Sequence, residues 1–441
     1  MAAVQETYEG MDSSNSPCSG FVTVGDDGVP CAGFRQCSSS HGATGLNPQA
    51  HAWDVPLELR CATDGANMTQ WGPSEFILPF YYFRGLPYDP TRPWKDSDGK
   101  WYVAMSTDGC NASKARPCPA GGRLDLFTSP ALRGADADWT QLLADEGGMF
   151  TTNMTVSGAV RSPGAITGEF VTSGYFGGLP GDPDGGRTRV VTQNRAGPTF
   201  WVGKQEAGGK FEALWDVPGA VGHYDYGSLT MARTLGSADA NQVNVNGRRV
   251  LLGWIGGSVA SQSLPRDLSL SPTHELLQAF VPELQVLRET QEPYAVLSGA
   301  PYDGAKATAQ VEVVATFSFD AAKPPAPADK FGFAVLGNGD GATEVYIQCA
   351  GAADCTAHVD STSQGGRLLS APLPMLGNTS LSVHVIVDGS IVEAIFNNRT
   401  AFVNDHISPS NDDATTVSLL NADGVTGTAS IWTLKQANNF P

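Results

Sequence analysis

The stretch Arg84-Gly85-Leu86-Pro87-Tyr88-Asp89-Pro90-Thr91-Arg92-Pro93-Trp94-Lys95-Asp96-Ser97-Asp98-Gly99-Lys100-Trp101-Tyr102-Val103 decides the class of fold. Asp98-Gly99 is a two-residue hairpin turn, because the glycine accepts the positive φ that such turns require. Lys100 to Met105, rich in Trp, Tyr and Val, reads as the strand that returns from it. Asp89 falls in the connection entering this hairpin, where rigid strands can hold a loop carboxylate in place.

Hairpins of this kind recur along the 441 residues. Leu124 to Ser129 is a strand, and Trp139 follows it at the spacing of a propeller blade. Arg187 to Gln193 and Thr199 to Lys204 read as a strand pair, and His274 to Phe280 as a strand. Val281-Pro282-Glu283-Leu284 reads as a short helix, with proline at the first helical position. Beyond it, Phe331–Leu336, Glu344–Ile347 and Leu381–Val387 alternate in part, as half-buried strands do. Asp388-Gly389 is a further hairpin turn, leading into Ile391–Phe396. Asp388 and Glu393, two carboxylates near that hairpin, read as structural polar groups. Long amphipathic helical patterns are nearly absent, while Gly 51 and Pro 29 supply many turns. The expected class is all-β.

The length favours two domains. The net charge of −18 disfavours nucleic acid and anionic membrane surfaces as partners. No apolar run is long enough to span a bilayer. Gly177 to Gly186 is a surface loop rather than a phosphate cradle, since neither a lysine nor a helix follows. Gly337-Asn338-Gly339-Asp340-Gly341 is a turn between strands, not a dinucleotide motif. The eight cysteines form no CxxC pair, so neither a zinc ribbon nor a metal site is implied. The close pairs 31/37, 110/118 and 349/355 are short-loop disulfide candidates. With five Asn-x-Ser/Thr sequons, at Asn67, Asn111, Asn153, Asn378 and Asn398, the cysteines point to the secretory pathway, secreted or vacuolar. The first dozen residues carry neither a basic nor an apolar signal-peptide region.

Three further motifs come in order over about fifty residues. They are His223-Tyr224-Asp225-Tyr226-Gly227, then Arg248-Arg249-Val250-Leu251-Leu252-Gly253-Trp254, then Gln262-Ser263-Leu264-Pro265-Arg266. With the Asp89-Pro90 stretch and Val387-Asp388-Gly389-Ser390-Ile391-Val392-Glu393, they resemble glycoside hydrolase family 32, the invertases and fructan hydrolases. The resemblance implies a five-bladed β-propeller over residues 1–290, N-terminally incomplete, and a C-terminal β-sandwich over 296–441. It implies hydrolysis of terminal fructosyl bonds of sucrose or fructans with retention, without a cofactor. Asp89 would be the transition-state stabiliser and Glu169, in Gly168-Glu169-Phe170, the acid/base. Ser19, Tyr88, Asp225 and Trp254 would contact a small-molecule sugar.

The sequence departs from the family pattern in four places. Tyr88 stands where the family has Arg before the Asp-Pro, and Cys18 where it has an aromatic before Ser-Gly. The Trp and Cys around the acid/base are missing. The nucleophile's Asn-Asp-Pro-Asn-Gly stretch does not occur, and counting back from Ser19 places it before Met1. Two expectations follow: a chain shortened at its N-terminus, or a carbohydrate-binding homologue without catalysis. A five-bladed hydrolase of arabinose or xylose units is a third reading, which the C-terminal match opposes. Oligomeric state is not legible.

Overall fold

A computed structural model describes residues 15–38, 57–73, 75–78, 87–107, 123–143, 149–151, 155–156, 159–160, 174–193, 198–206, 208–236, 247–256, 261–297, 305–306, 309–338, 341–375, 379–405, 416–420 and 422–435. Nearly all regular structure among them is β-strand, as the sequence leads one to expect. Two compact units divide the chain. The first is Met1–Gly222, Thr234–Arg249 and Leu270–Glu275, and the second is His223–Arg233, Val250–Ser269 and Leu276–Pro441.

The first unit is built from blade-like antiparallel sheets. One has the order β1 (Asn15–Val24), β2 (Pro30–Ser38), β3 (Leu57–Cys61), β4 (Glu75–Leu78). The next centres on β7 (Trp101–Thr107). It pairs with β5 (Pro87–Pro90) and β6 (Trp94–Lys95) on one side and with β8 (Arg123–Ser129) on the other. Strands β9 (Thr140–Leu142) and β10 (Phe150–Thr151) complete that sheet, and β11 (Thr155–Val156) pairs with β12 (Ala159–Val160). A third blade runs β13 (Gly174–Gly177), β14 (Thr188–Gln193), β15 (Thr199–Gln205), β16 (Phe211–Ala213), with β17 (Val221–His223) beside β15.

The two-residue period of β7 shows why the hairpin reading holds. Trp101, Val103 and Met105 enter one core with Leu57 and Leu59 of β3, Phe127 and Trp139. Tyr102 and Ala104 face the other way, into a core with Trp94, Leu126, Tyr175, Trp201 and Phe211. Both faces of the sheet are therefore buried against neighbouring blades, which is why the run is apolar at nearly every position. Gly99 takes φ 80°, as the turn requires.

In the second unit β18 (Leu229–Gly236), β19 (Arg249–Ile255), β21 (Arg266–Leu270) and β22 (Leu276–Phe280) form a sheet, with β20 (Ser261–Gln262) beside β19. A 3-10 turn over Pro282–Leu287, with the expected proline at its start, leads into two six-stranded sheets. One has the order β23 (Arg288–Leu297), β34 (Thr426–Leu434), β25 (Gln310–Ser318), β30 (Ser380–Asp388), β31 (Ile391–Phe396), β32 (Thr400–Asn404). The other runs β24 (Ala305–Lys306), β33 (Thr416–Leu420), β26 (Phe331–Asn338), β27 (Gly341–Gly351), β28 (Asp354–Asp360), β29 (Leu368–Pro374). Alternate residues of both sheets, such as Val311, Val313, Ala315 and Phe317 against Phe331, Phe333 and Val335, make a single sandwich core. A smaller cluster joins Leu264, Phe280, Leu284 and Leu287 to Ile386 and Ile395.

The disulfides correct one expectation. Cys31 bonds Cys61, not Cys37. Cys31 and Cys61 are register partners on β2 and β3, whereas Cys31 and Cys37 lie on one extended strand, about 20 Å apart. Cys349 bonds Cys355, its register partner across the β27–β28 hairpin. Cys110 and Cys118 lie outside the described residues.

On the sandwich, Arg288 crosses the Trp432 ring at 3.8 Å and donates two 2.7 Å bonds to the buried Glu312, which His384 also meets at 2.8 Å. Burial alone would raise the Glu312 carboxyl, but the bonds from Arg288 and His384 outweigh it and hold the pKa at about 2, below the usual 4.5. The ionised carboxylate therefore stabilises the fold above the usual value, and that stabilisation fades as pH falls towards 2. In urea unfolding, Glu312→Gln is expected to cost on the order of 3 kcal/mol at pH 7. The gap from the parent should shrink steadily between pH 5 and pH 2.5. A gap independent of pH would contradict this assignment.

Candidate functional site

Of the six site residues read from the sequence, three are placed by backbone only. Ser19 lies on β1, and Tyr88 and Asp89 lie on β5. Glu169 lies outside the described residues. Asp89 is in a strand rather than in the loop expected for it, and the strand is irregular at that point. Tyr88 pairs with Ser106 and Pro90 with Met105, so Asp89 is the extra residue of a β-bulge. Pro90 cannot donate a ladder hydrogen bond, which makes a regular ladder unavailable here. Bulges bend a strand and re-aim a side chain, and they concentrate next to active sites.

Trp254 and Asp225 are described in full, in the second unit. Trp254 lies on β19 opposite Gln262, and at 51% exposure it leaves much of an indole open to solvent. An exposed Trp in a strand whose neighbours Gly253 and Ile255 are buried is a ready surface for a ring to lie on.

Asp225 is different. It is 1% exposed, and its oxygens are occupied from within the unit. Oδ1 accepts from the backbone of Gly227 at 2.7 Å and of Val403 at 3.0 Å, and Oδ2 accepts from Arg266 Nη2 at 3.0 Å. A carboxylate enclosed in this way does not reach a sugar, so the expected substrate contact gives way to a structural one.

Arg266 is the hub of this arrangement, and the sequence reading gave it no role. Its guanidinium is fully buried. Nη2 also donates to Glu393 Oε2 at 2.8 Å, while Nη1 reaches Gln278 Oε1 at 3.2 Å. Glu393 Oε1 accepts from Leu264 N at 2.6 Å, and Gln278 Nε2 donates to the carbonyls of Tyr224 and Arg399. Burial pushes the Asp225 and Glu393 carboxyls above their usual values, and Arg266 opposes that shift at both. Glu393 is thus the structural group that the sequence suggested. The signal for Arg266 was its position: an arginine opening a strand whose alternate residues, Leu268 and Leu270, are core.

The segment from Tyr224 to Ser228 is also laced to β32. Tyr226 N donates to Ala401 O at 2.9 Å and Ser228 N to Val403 O at 2.8 Å. This covers the free edge of the sandwich sheet. Gly227 is needed there, because a Cβ would lie 2.0 Å from Val403 O. Beside it, His223 and Tyr226 meet edge to face at 5.1 Å, and burial lowers the His223 pKa, which favours the neutral ring.

Among the described residues no group of His, Cys, Asp or Glu could hold a metal ion. No helix of the described chain is long and apolar enough to cross a membrane.

The family described as glycosyl hydrolases family 32 C terminal matches residues 283–435. No curated protein sequence matches the chain. Solved structures do. Fructan 1-exohydrolase IIa from Cichorium intybus, in complex with 1-kestose, superposes with TM-score 0.73 at 15% identity, over 96% of this chain and 84% of that one. A fructosyltransferase from A. japonicus gives 0.69 at 16% identity, over 96% and 84%. Sucrose-6-phosphate hydrolase from Lactobacillus gasseri gives 0.64 at 14% identity, over 95% and 78%. At such identities the likeness is one of fold.

Removing the Arg266 guanidinium leaves two buried carboxylates without their counter-charge. Arg266→Ala is expected to cost about 3–5 kcal/mol in chemical unfolding, with Asp225→Asn in the same chain recovering part of the loss. An Arg266→Ala chain as stable as the parent would contradict the assigned role.

Proposed function

We propose, for a chain assigned to glycoside hydrolase family 32 by its C-terminal domain and its fold, that it acts on terminal fructosyl bonds of sucrose or fructans with retention of configuration. The coarser statement, a fructosidase-like glycoside hydrolase, follows from the family. The finer one is carried by a single observation: Asp89, in the Asp-Pro stretch that resembles the family's stabiliser, is the bulged residue of β5.

Retaining hydrolysis needs two carboxyl groups about 5–5.5 Å apart. In this reading Glu169 protonates the leaving oxygen and later takes a proton from the attacking water. Asp89 hydrogen-bonds the fructosyl hydroxyls and favours the oxocarbenium-like transition state. Ser19, Tyr88 and Trp254 contact the sugar, with the exposed indole of Trp254 as a stacking surface. A second carboxylate must attack the anomeric carbon. The Asn-Asp-Pro-Asn-Gly stretch that resembles that role in the family is absent from the 441 residues. The departures at Tyr88, where the family has Arg, and at Cys18, where it has an aromatic, favour a second reading, a carbohydrate-binding homologue without turnover.

Fructose release from sucrose and 1-kestose, measured together with binding, separates the two readings. The first expects release, reduced about 10²–10³-fold by Asp89→Asn or Glu169→Gln. Binding that survives both substitutions, with no release from the parent chain, would establish the second reading instead.

A further inference from the structure

A groove of about 420 Å³ opens in the first unit, between the Asp96–Gly99 turn, strand β14 and the turn that joins β15 to β16. It lies towards the end of β7 away from Asp89. Tyr102 on its wall pairs with Trp94, whereas the bulge at Asp89 pairs with Met105 and Ser106. At about 3.3 Å per residue, the two places are on the order of 10 Å apart along the strand.

The charges that line the groove do not neutralise one another. Arg187 and Arg189 are on one side, anchored by carbonyls of their own loop: Arg187 Nε to Asp184 O, and Arg189 Nη1 to Gly186 O and Thr188 O. Asp96 and Glu206 also line it. Among the described residues, no ion pair joins either arginine to an acid. Asp96 Oδ1 accepts from Ser97 N at 2.7 Å, so guanidinium donors and carboxylate acceptors line the same groove without being paired to one another.

Tyr102 supplies the third element. Its ring stacks on Trp94 at 5.8 Å and 20°, and its hydroxyl donates to Asp98 Oδ2 at 2.8 Å. Burial and the bond to Asp98 push its pKa to about 12, so the phenol stays protonated. The ring is held rigidly and needs no reordering to meet a ligand.

A ligand for this groove must accept from arginine and donate to carboxylate at once. An anion meets three acids, and a cation meets two arginines. A polyhydroxylated neutral ring satisfies both sets, because each hydroxyl is donor and acceptor, and its C–H face suits an aromatic wall. We propose that the groove is a second, non-catalytic binding site for a neutral saccharide, recognised by Arg187, Arg189, Asp96, Glu206 and Tyr102. The site goes beyond the fructosidase reading and does not depend on it.

Calorimetric titration with 1-kestose, a neutral trisaccharide, tests the proposal on four chains: the parent, Arg187→Ala/Arg189→Ala, Tyr102→Ala and Asp89→Ala. The double arginine variant is confined to the surface, so it preserves the fold if Tyr102→Ala does not; thermal melts check both. The expected result is a millimolar class of sites in the parent that weakens at least tenfold in the arginine variant and survives in Asp89→Ala. Identical isotherms for the parent and the arginine variant, including no binding by either, would overturn the groove. Loss of binding confined to Asp89→Ala would also overturn it, while supporting the fructosidase reading.

Discussion

One fully buried guanidinium, that of Arg266, holds the second unit together. It opens strand β21 and meets Asp225 from the segment before β18 and Glu393 from β31, 127 residues further on. Such a group is costly to desolvate and stays buried only where its hydrogen bonds are well made. Here it fixes position more than it adds strength. With Arg266 bonded to both carboxylates, Asp225 is aimed at the Val403 amide, and Tyr226 and Ser228 fall into backbone register with β32. Gly227 lets that approach occur, since a side chain would strike Val403 O. The same segment closes a sheet edge that would otherwise offer unpaired backbone groups.

This assigns different work to motifs that look alike in the sequence. Tyr224-Asp225-Tyr226-Gly227 and Pro265-Arg266 are structural: their polar groups face each other away from solvent. Trp254 faces outward from a strand that Val250 and Leu251 bury. Asp89 stands at a bulge. Function in an all-β chain of this kind sits where the strand pattern is broken or its side chains are left exposed, and stability sits where polar groups are enclosed.

Much of the fold was legible because its signals are local. Asp98-Gly99 with Trp101-Tyr102-Val103 gives the hairpin, Asp388-Gly389 gives another, and Pro282 starts the short turn before the sandwich. The parts that were not legible depend on partners far away in sequence. The register that sets Cys31 against Cys61 joins strands 30 residues apart, and spacing alone favoured the nearer Cys37. The bulge at Asp89 depends on how β5 meets β7, which no single strand encodes. Asp225 was read as a sugar contact from the resemblance of its motif to the family's; its enclosure comes from Arg266 and Val403. Glu169 was readable only as a motif position.

The central claim, retaining chemistry on a fructosyl bond, is tested most directly by following the anomer of the first fructose released. Proton NMR during early hydrolysis of sucrose reports it before mutarotation equalises the forms. The account predicts β-fructose as the first product. First-formed α-fructose, or sucrose left intact at high protein concentration, would contradict it.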